Sequence, residues 1–131
     1  MMIFPKDLKY TKNDEWIRVE NGAGTVGITD YAQEQLSDIV YLEITVSVGD
    51  ALSRGDALGE IESVKAAAEI YVPVDGKVSQ INSGIVDEPE IINSDPFGEG
   101  WLAKLDIQDA VQLEDLMDAA TYEKFCEDRE H

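Results

Sequence analysis

Apolar and polar residues alternate through "WIRVENGAGTVGI", residues 16–28, on both sides of Asn21-Gly22. Period-two alternation marks half-buried strands, and both turn residues tolerate positive φ, so this stretch predicts an antiparallel hairpin. In "TDYAQEQL", which follows, Asp30 has Gln33 three residues later, matching a capping box and predicting a short helix that begins at Asp30. From Ile39 to Leu105 the runs "IVYLEITV", "ALGEIES", "AEIYVPV" and "KVSQI" are punctuated by Gly49-Asp50, Gly55-Asp56 and Asp75-Gly76. Short strands with turns this frequent predict a mostly β fold, a small sandwich or barrel. The two Gly-Asp pairs six residues apart read either as a weak internal repeat or as two tight turns.

The period then lengthens. Leu113, Leu116, Met117 and Ala120 recur at helical spacing, as do Tyr122, Phe125 and Cys126. One or two amphipathic helices are therefore expected over about 109–129, closing a β core over about 39–105. With no low-complexity tract or Pro/Gly/Ser-rich linker, residues 1–131 are read as one domain.

Charge narrows the functions open to such a fold. A formal net charge of -18 over 131 residues repels nucleic-acid phosphates and anionic lipid headgroups, so neither nucleic acid nor a membrane is expected as a partner. No apolar run approaches the roughly 20 residues of a spanning helix, and "MMIFPKDLKY" has neither a secretory signal's apolar core nor a transit peptide's Arg-rich character. The single cysteine, Cys126, is expected as a packed thiol on a helix. The single histidine, His131, leaves no His-dependent triad and few metal sites. The acidic run "DEPE", residues 87–90, lacks the alternating oxygen ligands of a calcium loop and is read as solvated surface, so no metal is expected.

Residues 22–27, "GAGTVG", satisfy the G-x-G-x-x-G spacing of a dinucleotide site. Two features speak against it. Arg18 and Glu20 share one face of the preceding strand, whereas a central parallel strand is apolar on both faces. Asp30 also puts a carboxylate at the helix start, where a pyrophosphate would need to sit.

The candidate chemistry centres on "IESVKAAAEI", residues 61–70, where Lys65 stands between Glu62 and Glu69 with three alanines after it. Strand-like flanks place Lys65 near the apex of a hairpin, held out to solvent on a rigid base. A catalytic amine is made neutral by desolvation or by neighbouring cations, and this stretch supplies acids instead. Small neighbours at Ala66, Ala67 and Ala68 suit a lysine that another protein recognises and modifies.

"ESVKAAAEIYVPVDGKV" resembles the modified-lysine hairpin of glycine cleavage system H proteins. "YTKNDEWIRV", "VGITDYAQEQLSDIVYLE", "PEIINSDPFGEGWLAKL" and "YEKFCEDRE" resemble the same family in the same order, over roughly residues 8–130. Biotin carriers typically flank their lysine with methionines, where this chain has Val64 and Ala66. The resemblance implies a barrel-sandwich hybrid of the biotinyl/lipoyl-domain type, with lipoic acid in amide linkage on Lys65 and Glu62, Ser63, Val64 and Ala66 shaping the turn. It implies a non-catalytic carrier that takes the aminomethyl group of glycine from glycine decarboxylase, a pyridoxal-phosphate enzyme, to a tetrahydrofolate-dependent aminomethyltransferase. The flavin enzyme dihydrolipoamide dehydrogenase then reoxidises the dithiol, and a lipoate ligase or octanoyltransferase installs the arm. A monomer is expected, in a prokaryotic cytoplasm or, for a processed form, the mitochondrial matrix.

By the same resemblance Asn13, Glu15 and Glu69 dock the loaded arm. Glu15 would accept a charge-assisted hydrogen bond from the amine, or else is a solvated strand end. Trp16 and Trp101 are read as core or cleft-wall aromatics, and "NSDPFGEGW" as a loop before the last core strand. The chain departs from the family in two places. Asp14 stands where H-E-W is common and would add negative charge beside the docking site, and Ala68 replaces a common serine. A lipoyl relay, or a carrier in sulfur metabolism, is the alternative function on this fold.

Overall fold

A computed structural model describes residues 2–129, so His131 lies outside the described residues. Nine strands are present among them: β1 (Lys9–Tyr10), β2 (Glu15–Glu20), β3 (Ala23–Ile28), β4 (Ile39–Ile44), β5 (Ala51–Leu52), β6 (Ala57–Ser63), β7 (Ala67–Tyr71), β8 (Gly76–Ile81) and β9 (Ala103–Ile107). They form a six-stranded sheet in the order β1-β2-β3-β9-β8-β5 and a three-stranded sheet in the order β4-β6-β7. All pairings are antiparallel. This is the barrel-sandwich hybrid expected from the sequence.

The β2–β3 hairpin turns at Asn21 (φ 52°) and Gly22 (φ 80°), the two positive values that its two-residue turn requires. Along β2 successive side chains serve different cores. Ile17 joins Val26, Leu42, Leu58, Ile61, Ile70, Val78 and Leu105 between the two sheets. Trp16 joins Leu8, Tyr10, Tyr31, Tyr122 and Cys126 in a second cluster. The two clusters together explain two glycines of the misleading spacing: a Cβ on Gly27 would lie 2.7 Å from the indole of its cross-strand partner Trp16, and one on Gly24 would lie 2.7 Å from Ile17 Cδ1. Close approach of bulky neighbours, rather than of a phosphate, accounts for both glycines.

The two Gly-Asp pairs are copies of one turn. Ser47 N–H donates to Asp50 Oδ2 at 2.9 Å and Ser53 N–H to Asp56 Oδ2 at 2.8 Å, with Gly49 (φ 98°) and Gly55 (φ 93°) left-handed in each. One copy leads into β5 and the other into β6.

Helical segments depart from the sequence expectation in two respects. Helix α1 (Asp30–Leu36) is capped by Thr29, whose hydroxyl accepts from Ala32 N–H, so Asp30 is its first residue rather than its cap. Gln33 reaches back to the Asp30 carboxylate at 2.7 Å, not to a capping backbone N–H. The tail is not continuously α-helical. Ala110–Asp115 form a 3₁₀ helix, and Met117 then pairs with Tyr10 as an isolated bridge. Two four-residue helices, α2 (Gly84–Asp87) and α3 (Ile91–Ser94), precede β9, and the final helix is α4 (Ala119–Arg129). Cys126 is buried on α4, and burial pushes its thiol up, which keeps it protonated and unreactive.

Candidate functional site

The β6–β7 hairpin presents Lys65. Its turn is held by one side chain: the Ser63 hydroxyl accepts from Lys65 N–H at 3.1 Å and Ala66 N–H at 3.0 Å and donates to Ala66 O at 3.1 Å. Ser63 N–H also donates to Ala66 O, and Val64 N–H donates to Asp38 O at 3.0 Å, bracing the tip against the α1–β4 connection. Lys65, Ala66, Ala67 and Ala68 are exposed, and Val64 is 68% exposed. The lysine thus stands on a fixed turn with open space beside it.

Behind the turn the outer face of the three-stranded sheet is acidic. Glu43, Glu60 and Glu69 lie directly opposite one another across β4, β6 and β7, and Glu62 lies opposite Tyr41. Like charges in register cost stability. The field raises the neighbouring Tyr41 hydroxyl above its ordinary value, chiefly through Glu43.

Beside the hairpin is a cleft of about 170 Å³ with three walls: Asn13, Asp14 and Glu15; Ala32, Gln35 and Leu36 of α1; and Ala68, Glu69 and Ile70 of β7. It therefore unites Asn13, Glu15 and Glu69, the three residues proposed on resemblance to dock an arm. Ile28, Leu36, Ile61 and Ile70 give it an apolar lining, and Ala68 contributes a methyl group where a serine would contribute a hydroxyl.

Glu15 is not a solvated strand end. It is 2% exposed, and its carboxylate bridges the two sheets: Oε1 accepts from the Thr11 hydroxyl at 2.6 Å and Oε2 from Tyr71 N–H at 3.0 Å. Burial raises its carboxyl above the ordinary range, while the bonds from Thr11 and Tyr71 work against that rise. The neighbouring Glu69 carboxylate in turn raises the Tyr71 hydroxyl above its ordinary value. A second, larger cleft of about 270 Å³ shares Glu15 and Asn13 and runs past Tyr10, Lys12, Arg54 and Met117.

Asp14 also differs from expectation. Its charge does not stand free beside the cleft, because Arg129 of α4 grips it through Nη2–Oδ1 at 2.7 Å and Nη1–Oδ2 at 3.2 Å, and the Tyr122 hydroxyl donates to Oδ1 at 2.8 Å. Trp16 is fully buried, its Nε1–H shared between Ile28 O and Pro96 O, which makes the "NSDPFGEGW" loop a wall of the Trp16 cluster. Trp101 is half-buried, with the Lys104 ammonium 5.2 Å from its ring centroid. Sequence reasoning missed Thr11, Tyr71, Tyr122 and Arg129, each of which meets the site only through tertiary contact.

Known proteins resemble this chain over almost its whole length. The family model described as "Glycine cleavage H-protein" matches residues 8–129. A glycine cleavage system H protein of Carboxydothermus hydrogenoformans is 45% identical over 128 residues, covering 98% of each chain. One from Thermotoga maritima is 50% identical over 118 residues, covering 90% of this chain and 94% of its own. The crystal structure of a glycine cleavage system H protein from Mycobacterium marinum superposes with a TM-score of 0.84 at 33% identity, covering 92% of this chain and 97% of that one. On sequence, fold and coverage together, the chain belongs to the glycine cleavage H-protein family.

Proposed function

We propose that the protein is the lipoyl carrier of glycine cleavage and that Lys65 bears the lipoyl group in amide linkage. One observation carries this reading. An exposed lysine on a braced turn stands on the hairpin beside a cleft that Ile28, Leu36, Ile61 and Ile70 line and that Glu15 and Glu69 border. Those residues fit a long apolar arm whose cargo carries an amine. Lys65 lies in the turn that leads into β7, and Glu69 lies on that strand four residues later in sequence.

When bound, lipoic acid supplies the disulfide and dithiol chemistry that accepts the aminomethyl group of glycine. The chain's own residues present and shelter that group. Ser63 fixes the turn, Ala66, Ala67 and Ala68 leave room for a partner's active site, and Glu15 accepts a charge-assisted hydrogen bond from the amine. Asn13 and Glu69 complete the docking wall. Tethering makes each successive encounter local, at an effective concentration of roughly millimolar for a short flexible tether. The partners in this reading are glycine decarboxylase, aminomethyltransferase, dihydrolipoamide dehydrogenase and a lipoate ligase or octanoyltransferase. Residues 1–131 act as one carrier unit. No described helix is long and apolar enough to cross a membrane, and the bacterial relatives support a cytoplasmic setting.

Glycine loading tests the proposal. Lipoylated, reduction-competent protein incubated with glycine labelled at the methylene carbon and with glycine decarboxylase is expected to retain one label per chain, lost on adding aminomethyltransferase and tetrahydrofolate. Full lipoylation with no label retained would overturn it in favour of a lipoate relay or a sulfur-metabolism carrier.

A further inference from the structure

We infer that α4 is a latch on the cleft, with Arg129 and Tyr122 as positioning residues that hold two of its three walls in place. The inference rests on the carrier reading for its purpose, but its structural basis is separate.

Two walls converge on the end of α4. One is the strap at residues 13–15. Asp14 sits at φ 68°, a left-handed conformation uncommon for a non-glycine residue though more open to aspartate than to most. Its backbone is held by Thr29 N–H, which donates to Asp14 O at 2.9 Å, and by its own N–H, which donates to Thr11 O at 3.2 Å. Among the described residues its side chain is held by hydrogen bonds from Arg129 and Tyr122. The other wall is α1. Its cap, Thr29, lies 2.6 Å from the Tyr122 hydroxyl. Because the Tyr122 proton is committed to Asp14, the Thr29 hydroxyl donates to Tyr122 while accepting from Ala32 N–H at 3.1 Å. The Arg129 guanidinium further lies over Tyr31 of α1 at 4.2 Å and over Phe125 of α4 at 4.4 Å. A single cluster therefore ties strap to α1 through a helix more than ninety residues away from both in sequence.

Glu15 is the next residue after Asp14, so the rotation of the strap sets where its carboxylate points. Release of Arg129 leaves Asp14 with a left-handed backbone and a weakened anchor. The strap then relaxes, Glu15 leaves Tyr71 N–H, and the cleft opens. The departure from histidine at position 14 acquires a reason on this account: a bidentate guanidinium pair needs a carboxylate there, and imidazole cannot replace it. The third wall, on β7, is independent of α4.

Residue-resolved amide hydrogen exchange on the full, unlipoylated chain tests the latch without any cargo. In Arg129→Ala the amides of Thr29 and Tyr71 are expected to exchange about tenfold faster or more, since charge-assisted bonds are being removed from a local opening unit. Arg129→Lys, which keeps the charge but not the fork, is expected to restore part of the protection. Val78 and Leu105, paired between β8 and β9, are expected to be unchanged. Unaltered Thr29 and Tyr71 exchange, or equal acceleration at Val78 and Leu105, would overturn the latch.

A second measurement uses lipoylated protein charged from glycine, with spontaneous ammonia release followed in the absence of aminomethyltransferase. The Arg129→Ala protein is expected to lose its cargo about tenfold faster than wild type, the same factor as its cleft opening. Equal retention overturns the latch whatever the exchange shows, and leaves the carrier reading intact. A wild-type protein that takes no cargo overturns the carrier reading itself, and with it the latch's purpose.

Discussion

Lys65→Arg is expected to abolish glycine-dependent ammonia release in a reconstituted system while leaving the fold unchanged. The side chain is exposed, and the backbone N–H is engaged by Ser63. Surface substitutions of this kind shift stability within about 0.5 kcal/mol, so thermal unfolding should superimpose on that of wild type. The chemical consequence is not graded. A guanidinium keeps the positive charge beside Glu62 and Glu69 but offers no amine for amide formation. If charge at the hairpin were the functional property, activity would survive; if the amine is, activity falls to background. Activity in the variant above a few per cent of wild type contradicts the assignment.

Glu15→Gln is expected to stabilise the protein and impair it at once. In the folded state the Glu15 carboxyl is raised, chiefly by burial. An acid whose folded value lies above its unfolded value holds extra protons in the native state between the two, so native stability falls as pH rises through that window. Glutamine removes this penalty, keeps an acceptor for Tyr71 N–H and offers a donor to Thr11. The variant should therefore be more stable than wild type by about 1 kcal/mol at neutral pH, with the gain fading as pH falls through the folded Glu15 value and gone below the unfolded one. Thermal unfolding across that range checks the sign. A gain that grows in acid would contradict it.

Its functional cost follows from the same exchange of charge for amide. A hydrogen bond to a charged group is worth about 1.5–3 kcal/mol net, so the docked amine should be released roughly 10- to 100-fold more readily at about 1.4 kcal/mol per decade. Ammonia release from charged protein measures this directly. A protein that gains stability and keeps its cargo as well as wild type would remove Glu15 from the docking site. The buried acid is thus a place where folding and function pull apart, as expected when a site holds a charge that the core alone would not choose.

Much of this was legible in the chain itself. The Asn21-Gly22 hairpin, the strands between Ile39 and Leu105 and the Lys65 turn follow from period-two alternation and turn residues, which are local signals. The same alternation sets Glu15 beside Ile17 on the core-facing side of β2, so its burial was also encoded, although a glutamate at a strand end ordinarily reads as solvated. What stayed hidden depends on contacts distant in sequence. Arg129 and Asp14 are 115 residues apart, and no spacing rule joins them. Helices α2 and α3 span four residues each, too few for a helical period to register. Gly24 and Gly27 of "GAGTVG" matched a nucleotide motif because Ile17 and Trp16 demand the same lack of a side chain that a phosphate would, and Gly22 because the hairpin turn needs its positive φ.

The most direct test of the central claim is peptide-resolved mass analysis of the wild-type protein after incubation with lipoate, ATP and a lipoate ligase. The chain contains seven lysines. The account predicts one lipoyl amide per chain, found on the peptide containing Lys65 and on none of the other six. Modification elsewhere, or none at all while the ligase acts on a control domain, would contradict it.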